Sequence, residues 1–251
     1  MSRQRTLKLP APYLRRVWLV PEKVERWEDY PFCLPLFRQK SFEIDFDDAV
    51  TIIVGENGVG KSTLFEGIAV SAGFGLAGGS RSHVGATRVD EASLAKALKL
   101  SWLPKVTRGY FFRAETFFGL VRYMVDAAKD VLYGDPPPDW LDMSHGEGFL
   151  AFFEERCMQQ GIYIFDEPES ALSPSRQIEF LKLLRRMRET GHCQVIMATH
   201  SPILMGFPDA RLLRLTPYGF EPTTLRETDH FRLMREFCAD PDVFLDTMMN
   251  E

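Results

Sequence analysis

The segment TIIVGENGVGKSTL, Thr51 to Leu64, constrains this chain more than any other. Ala49 to Val54 is a continuous apolar run ended by Gly55, the pattern of a strand buried on both faces of a mostly parallel sheet. The residues from about Lys61 to Ala72 predict a helix directly after it. Between them, Gly55-x-x-x-x-Gly60-Lys61-Ser62 has the spacing of a phosphate-binding loop in its required strand–loop–helix setting. A triphosphate presents several anionic oxygens, which successive backbone N–H groups and the positive end of a helix can surround. Side chains would block that approach, so Gly55, Gly58 and Gly60 keep the wall thin. Glu56, Asn57, Val59 and Thr63 complete the candidate cradle. Lys61 would place a compact charge on the β- and γ-phosphates, and Ser62 offers a hydroxyl to Mg2+, an ion that takes few protein ligands.

Two further stretches supply what a glycine loop lacks. Ile162 to Glu169, IYIFDEPE, is an apolar strand ending in carboxylates. Asp166 would complete the metal site with Ser62, and Glu167 would orient and polarise the attacking water. A metaphosphate-like transition state needs positioning and charge neutralisation more than a strong base, so one carboxylate at a strand tip suffices. In ATHSP, His200 stands just past another buried strand, where it could report whether a γ-phosphate is present.

Around these motifs strands alternate with helices, which indicates an α/β sandwich. Strands are expected at Val17–Val20, at Ser41–Phe46 with Phe42, Ile44 and Phe46 on one face, at Gly109–Ala114, and in GIYIFDE and CQVIMATH. Helices are expected over Glu91–Leu100, Thr116–Tyr133, from near Gly148, and over Ser175–Thr190. The glycine-rich stretch 73–88 reads as a loop, and residues 116–160 as a helical insertion on a single domain spanning 1–251. The segment Arg226–Leu245 reads as helical packing; Asp229 and His230 within it are too few for a metal site.

A net charge of −5 argues against a basic nucleic-acid coat, although a local basic face stays open. Arg185, Arg186 and Arg188, and the cluster Arg3, Arg5, Lys8, Arg15 and Arg16, read as a solvated helix face and a polar N-terminus. Four scattered cysteines with no CxxC pair argue against both a disulfide framework and a zinc site, and suit a reducing cytosol. No run approaches the roughly 18 apolar residues a membrane span needs, so a cytoplasmic protein without membrane insertion is expected.

With MSHGEG, Met143 to Gly148, lying upstream of Asp166, the chain resembles the ATP-binding-cassette (ABC) class of P-loop ATPases. Ser144 matches the serine of that class's signature and Gly146 its second glycine, while Met143, His145 and Glu147 replace its leucine, first glycine and glutamine. The closer likeness, over about Phe37 to Phe207, is to soluble single-cassette AAA family ATPases of the OLD-like and SMC-head-like kind, on DEPESALSP, FFRAETFF and SHGEG. The resemblance implies a P-loop NTPase fold: an ABC-ATPase-like core of mostly parallel sheet with flanking helices, an antiparallel N-terminal strand subdomain and the helical insertion. It implies ATP and Mg2+ as ligands. It also implies a homodimer with ATP sandwiched at the interface, where Ser144, Gly146 and Glu147 of one copy cap the γ-phosphate held by the other. The implied role is to switch a protein partner, nucleic acid being a possible ligand, in DNA maintenance or anti-phage defence; the alternative is the ATP-binding subunit of a membrane ABC transporter. A small-molecule P-loop kinase shares the loop alone and gives no reason for the signature-like run or His200. Ser173 replaces the aspartate usual in transporters. Arg113 or Glu115 stands where the class carries a glutamine, and Phe37 and Trp27 are candidates for the adenine.

Overall fold

The computed structural model describes residues 9–75, 89–113, 116, 117, 119 and 145–250. Two sheets organise them. Strands β1 (Leu14–Leu19), β2 (Glu43–Asp45) and β4 (Leu98–Trp102) form an antiparallel sheet in the order β2-β1-β4. Strands β3 (Val50–Val54), β5 (Gly109–Arg113), β6 (Gly161–Asp166), β7 (Cys193–Ala198), β8 (Arg211–Thr216) and β9 (Gly219–Pro222) form the second sheet in the order β5-β6-β7-β3-β8-β9. All its neighbours are parallel except the β8–β9 pair.

Every residue of β3, β6 and β7 is buried, as their unbroken apolar runs require. Alternate side chains serve two different cores. Ile53, Ile164, Ile196 and Ala198 face helix α1 (Lys61–Ala72), helix α2 (Val89–Ala97) and the antiparallel sheet. Ile52, Phe165, Val195 and Met197 face helix α3 (His145–Arg156) and helix α4 (Pro174–Glu189). On that second side Phe112, Phe117, Phe149, Phe153 and Phe165 pack edge to face, with centroids as close as 4.5 Å. The aromatic run at FFRAETFF is thus largely core.

The expected elements recur with two differences. Leu98–Leu100 is strand rather than the end of a helix, because Leu98 and Leu100 pair with Leu19 and Val17 of β1. Strands β8 and β9 were not anticipated; apart from them, the chain beyond β7 carries the short helix α5 (Pro202–Met205) and helices α6 (Asp229–Ala239) and α7 (Pro241–Asn250). Neither α6 nor α7 buries a residue, so Arg226–Leu245 is helical but not packed into a core. Apart from residues 116, 117 and 119, the predicted helix 116–133 lies outside the described residues, as does most of the loop 73–88. Arg185 pairs with Glu189, Arg186 with Glu154 and Arg188 with Asp209 on an exposed face, as the solvated reading expected. Among the described residues no helix is long and apolar enough to cross a membrane.

A buried polar side chain helps to join the two sheets. Gln194, fully buried on β7, accepts from the N–H groups of Tyr13 and Leu14 at 2.8 Å each and donates to the Leu14 carbonyl at 2.9 Å. Removing it strands three backbone polar groups of Tyr13 and Leu14, each costing about 1–3 kcal/mol. Gln194→Leu is therefore expected to lower unfolding free energy by about 3–5 kcal/mol and Tm by about 10 °C. A loss under about 1 kcal/mol in a denaturant titration would show that Gln194 does little to hold the sheets together.

Candidate functional site

Parallel register brings the sequence motifs to one edge. Arg113, Asp166 and Ala198 lie side by side on β5, β6 and β7, and Ala198 pairs in turn with Ile53 on β3. The loop Gly55–Gly60, the Glu167 turn and His200 all leave the sheet just past that row.

The loop needs its glycines for different reasons. A Cβ on Gly55 would come within 2.7 Å of the Leu215 carbonyl oxygen, so the loop can lie against β8 only with a bare backbone there. Gly60 precedes α1 with φ of 114°, a left-handed conformation that side chains resist. Lys61 is buried, and its Nζ donates to the carbonyls of Gly55 at 2.7 Å and Glu56 at 3.0 Å. Burial holds its pKa below the ordinary lysine value, with the Glu167 and Asp166 carboxylates acting in the opposite direction.

Ser62 Oγ donates to Asp166 Oδ1 at 3.2 Å. Asp166 is 3% exposed, and burial pushes its carboxyl up to about 7; Arg113 and the Ser62 hydroxyl pull it down while Glu167 pushes it further up. Arg113 Nε lies 3.7 Å from Asp166 Oδ2, and the same guanidinium donates to buried Glu66 of α1. Two adjoining hard oxygen donors at a strand tip fit a Mg2+ ion that keeps most of its waters.

Glu167 adopts φ 49° and ψ 56°, a left-handed conformation rare for a non-glycine residue and costing about 1–2 kcal/mol, directly before a proline. Its N–H donates to the Ala198 carbonyl at 3.0 Å, which anchors the turn and leaves the side chain 39% exposed. Glu167 Oε1 stands 3.4 Å from His200 Nε2. The His200 N–H donates to Glu169 Oε1 at 2.5 Å, and burial raises the Glu169 pKa. On the far side of the His200 ring, Nδ1 meets His230 Nε2 at 2.8 Å.

Comparison with known proteins follows these two halves of the site. Residues 34–99 match a family model described as an AAA domain, and residues 149–205 one described as an AAA ATPase domain. Models of AAA-type ATPase domains thus match the chain on both sides of this site. The chain is 37% identical over 68 residues to the OLD nuclease of Thermus scotoductus, a stretch that takes in 27% of this chain and 13% of that protein's length. It is similar in structure to cbiO1 from Clostridium perfringens, part of the ABC transporter complex cbiONQ, with 18% identity, 96% of this chain and 100% of that one covered, and a TM-score of 0.46. For the SMC head domain from Thermotoga maritima the values are 18%, 85%, 99% and 0.42.

At this edge the structure brings Gly55 to Thr63, Asp166, Glu167 and His200 together, while Ser144 and Glu115 lie outside the described residues. Gly146 is in the first turn of α3, and Glu147 is tied to Arg176 of α4 at 2.5 Å. Ser173 caps α4, its Oγ accepting from the Arg176 N–H at 3.4 Å. Phe37 is fully buried in the core, and Trp27 packs edge-on against Phe32. Tyr30, which the sequence reading passed over, is a half-exposed ring whose hydroxyl meets Thr63 Oγ1 at 3.0 Å. Glu66 and Glu169 were also missed, and His230 was weighed only as a metal ligand. Glu169 alone had a signal, the second carboxylate of the Asp-Glu-Pro-Glu run.

Because the folded pKa of Asp166, about 7, lies above the unfolded carboxylate value of 3.8, folding takes up a proton between them. Its contribution to stability is full at low pH and lost as pH rises through about 7. Asp166→Asn is expected to stabilise the nucleotide-free protein by on the order of 2 kcal/mol at about pH 8 and by almost nothing near pH 4, as read by thermal melts across that range.

Proposed function

We propose that this chain binds ATP with Mg2+ at the P-loop edge, hydrolyses the β–γ phosphoanhydride bond, and closes around the nucleotide as a homodimer. The supporting observation is the contact of Ser62 with Asp166 at 3.2 Å beside Glu167 and His200, themselves 3.4 Å apart. These groups sit at one end of four parallel strands, next to the lysine of the loop.

Each residue then has a physical task. The N–H groups of Gly55 to Thr63 and the start of α1 receive the phosphates. Lys61 exchanges its two loop carbonyls for phosphate oxygens, and Tyr30 stands over Thr63 at the mouth of the loop on the side open to solvent. Ser62 and Asp166 would hold Mg2+, which when bound neutralises phosphate charge. Glu167 accepts from the attacking water and orients it, its strained turn aiming the carboxylate away from the sheet. His200 donates to the terminal phosphate. The remaining wall comes from the second copy, through Ser144 and through Gly146 and Glu147 in the first turn of its α3, whose helix N-terminus suits an anion. A two-state cycle, closed with ATP and open after hydrolysis, is what a protein partner would read. The short likeness to an OLD nuclease directs that role toward DNA maintenance or defence against foreign DNA.

Glu167→Gln should retain ATP binding, slow turnover at least about a hundredfold, and accumulate a dimer on gel filtration with ATP. A monomer at every ATP concentration would refute the shared site. Ser144→Arg should slow turnover comparably while leaving the nucleotide affinity of the monomer within about threefold, because a group acting in trans makes no contact in the monomer. A large affinity loss would place Ser144 in its own subunit's fold.

A further inference from the structure

His200 has a different neighbour at each ring nitrogen. Nδ1 lies 2.8 Å from His230 Nε2, while Nε2 is buried, without a hydrogen-bond partner, 3.4 Å from Glu167 Oε1. The two rings meet at 52° with centroids 5.0 Å apart, so the contact runs nitrogen to nitrogen rather than face to face. A contact this short between two ring nitrogens requires one proton on the line joining them. Which ring owns that proton decides what His200 offers the site. If His200 owns it, a neutral His200 turns a bare lone pair toward the Glu167 carboxylate, acceptor against acceptor. If His230 owns it, His200 keeps its single proton on Nε2 and turns a donor there.

We propose that His230 is a positioning residue that donates its Nε2–H to His200 Nδ1, fixes His200 as the Nε2–H tautomer, and thereby keeps a donor aimed at Glu167 and the terminal phosphate. The phosphate half rests on the ATPase reading above; the tautomer half does not. His200 is surrounded by Lys61 and Glu56 of the loop, Glu167 and Glu169 of the β6 turn, and His230. Burial, then the Lys61 charge, hold it below the ordinary histidine range, so the ring is neutral near pH 7 and the place of its one proton matters. A doubly protonated His230 would make the same donation.

His230 is itself well held. It lies in the first turn of α6, whose cap Thr228 is buried, accepts from the Phe231 N–H at 3.3 Å and donates through its hydroxyl to the Leu225 carbonyl at 2.7 Å. Arg214 of β8 reaches the carbonyl of Glu227 at 2.6 Å and fixes the entry to that turn. The imidazole also lines a cavity of about 320 Å³ whose near wall is Gly55, Asn57 and Gly58, so the α6 terminus and the loop share one surface. That seating gives His230 a defined direction rather than a surface rotamer.

The test uses the full chain labelled with 15N-histidine, with long-range 1H–15N spectra near pH 8 and His200→Leu for assignment. In wild type, His200 should show a protonated Nε2 and a bare Nδ1. His230→Leu should lose that preference, and His230→Gln, whose amide N–H can replace the imidazole donor, should restore it. A wild-type His200 protonated on Nδ1 overturns the proposal. In steady-state ATPase assays His230→Leu should lower kcat about tenfold with KM within about twofold, and His230→Gln should recover to within about threefold of wild type. An unchanged kcat in His230→Leu overturns the positioning role. A wild type with no ATPase activity would instead defeat the functional reading, and the spectra would still decide the tautomer.

Discussion

The site depends on the lateral pairing of parallel strands. Backbone hydrogen bonds hold Arg113 beside Asp166, Asp166 beside Ala198, and Ala198 beside Ile53. Side chains alternate between two buried faces, so a one-residue slip of β6 would exchange Phe165 and Ile164 between the cores and move Asp166 off the row. Register is thus enforced by apolar packing on both sides of the sheet, and the chemistry at its edge inherits that precision. The Glu167 N–H bond to Ala198 and the Thr199 N–H bond to Ile53 extend the same ladder into the turns that carry Glu167 and His200.

The burial that fixes register also sets the electrostatics. Asp166 and Glu66 are nearly sealed from water, and the charge facing them is the Arg113 guanidinium. An Asp166 carboxyl pushed up to about 7 by burial is poorly stabilised as an anion by Arg113 and Ser62 alone. Lys61, for its part, is satisfied by two carbonyls of its own loop, so the loop is held in shape by the group that would later release it to a phosphate. Carboxylates and ammonium are arranged close together but not neutralised against one another. That leaves charge available for a ligand.

The loop, the strands β3, β6 and β7, and the carboxylate turn were legible because each is a local pattern: apolar runs of fixed length, glycines at set spacing, acids at a strand end. What escaped depends on partners distant in the chain. Leu98–Leu100 follows a helical run and carries helix formers, and only β1 makes it a strand. Gln194 looks like an interruption in an apolar strand until Tyr13 and Leu14 arrive from 181 and 180 residues away. Phe37 and Trp27 drew attention as aromatics near the loop, yet packing claims them, and exposed Tyr30 occupies the position beside Thr63. His230 drew notice only as half of an Asp-His pair, since its contact with His200, 30 residues earlier in the chain, and the Arg214 anchor beside it are set by the fold.

The C-terminal helices show what such long-range contacts can hold. Along α6 and α7 the side chains of Leu233, Met234, Val243, Leu245 and Met249 are exposed, and neither helix contributes a buried residue. Burial of apolar surface therefore does little to orient α6. Its direction is set at its first turn, by the Thr228 cap, the Arg214 bond to Glu227, and the contact of His230 with His200. Phe237 against Phe244, at 5.9 Å, then couples α7 to it. The ring that faces Glu167 is thus also a contact of the first turn of α6, so the strand edge and the start of the C-terminal helices meet at the same hydrogen bond.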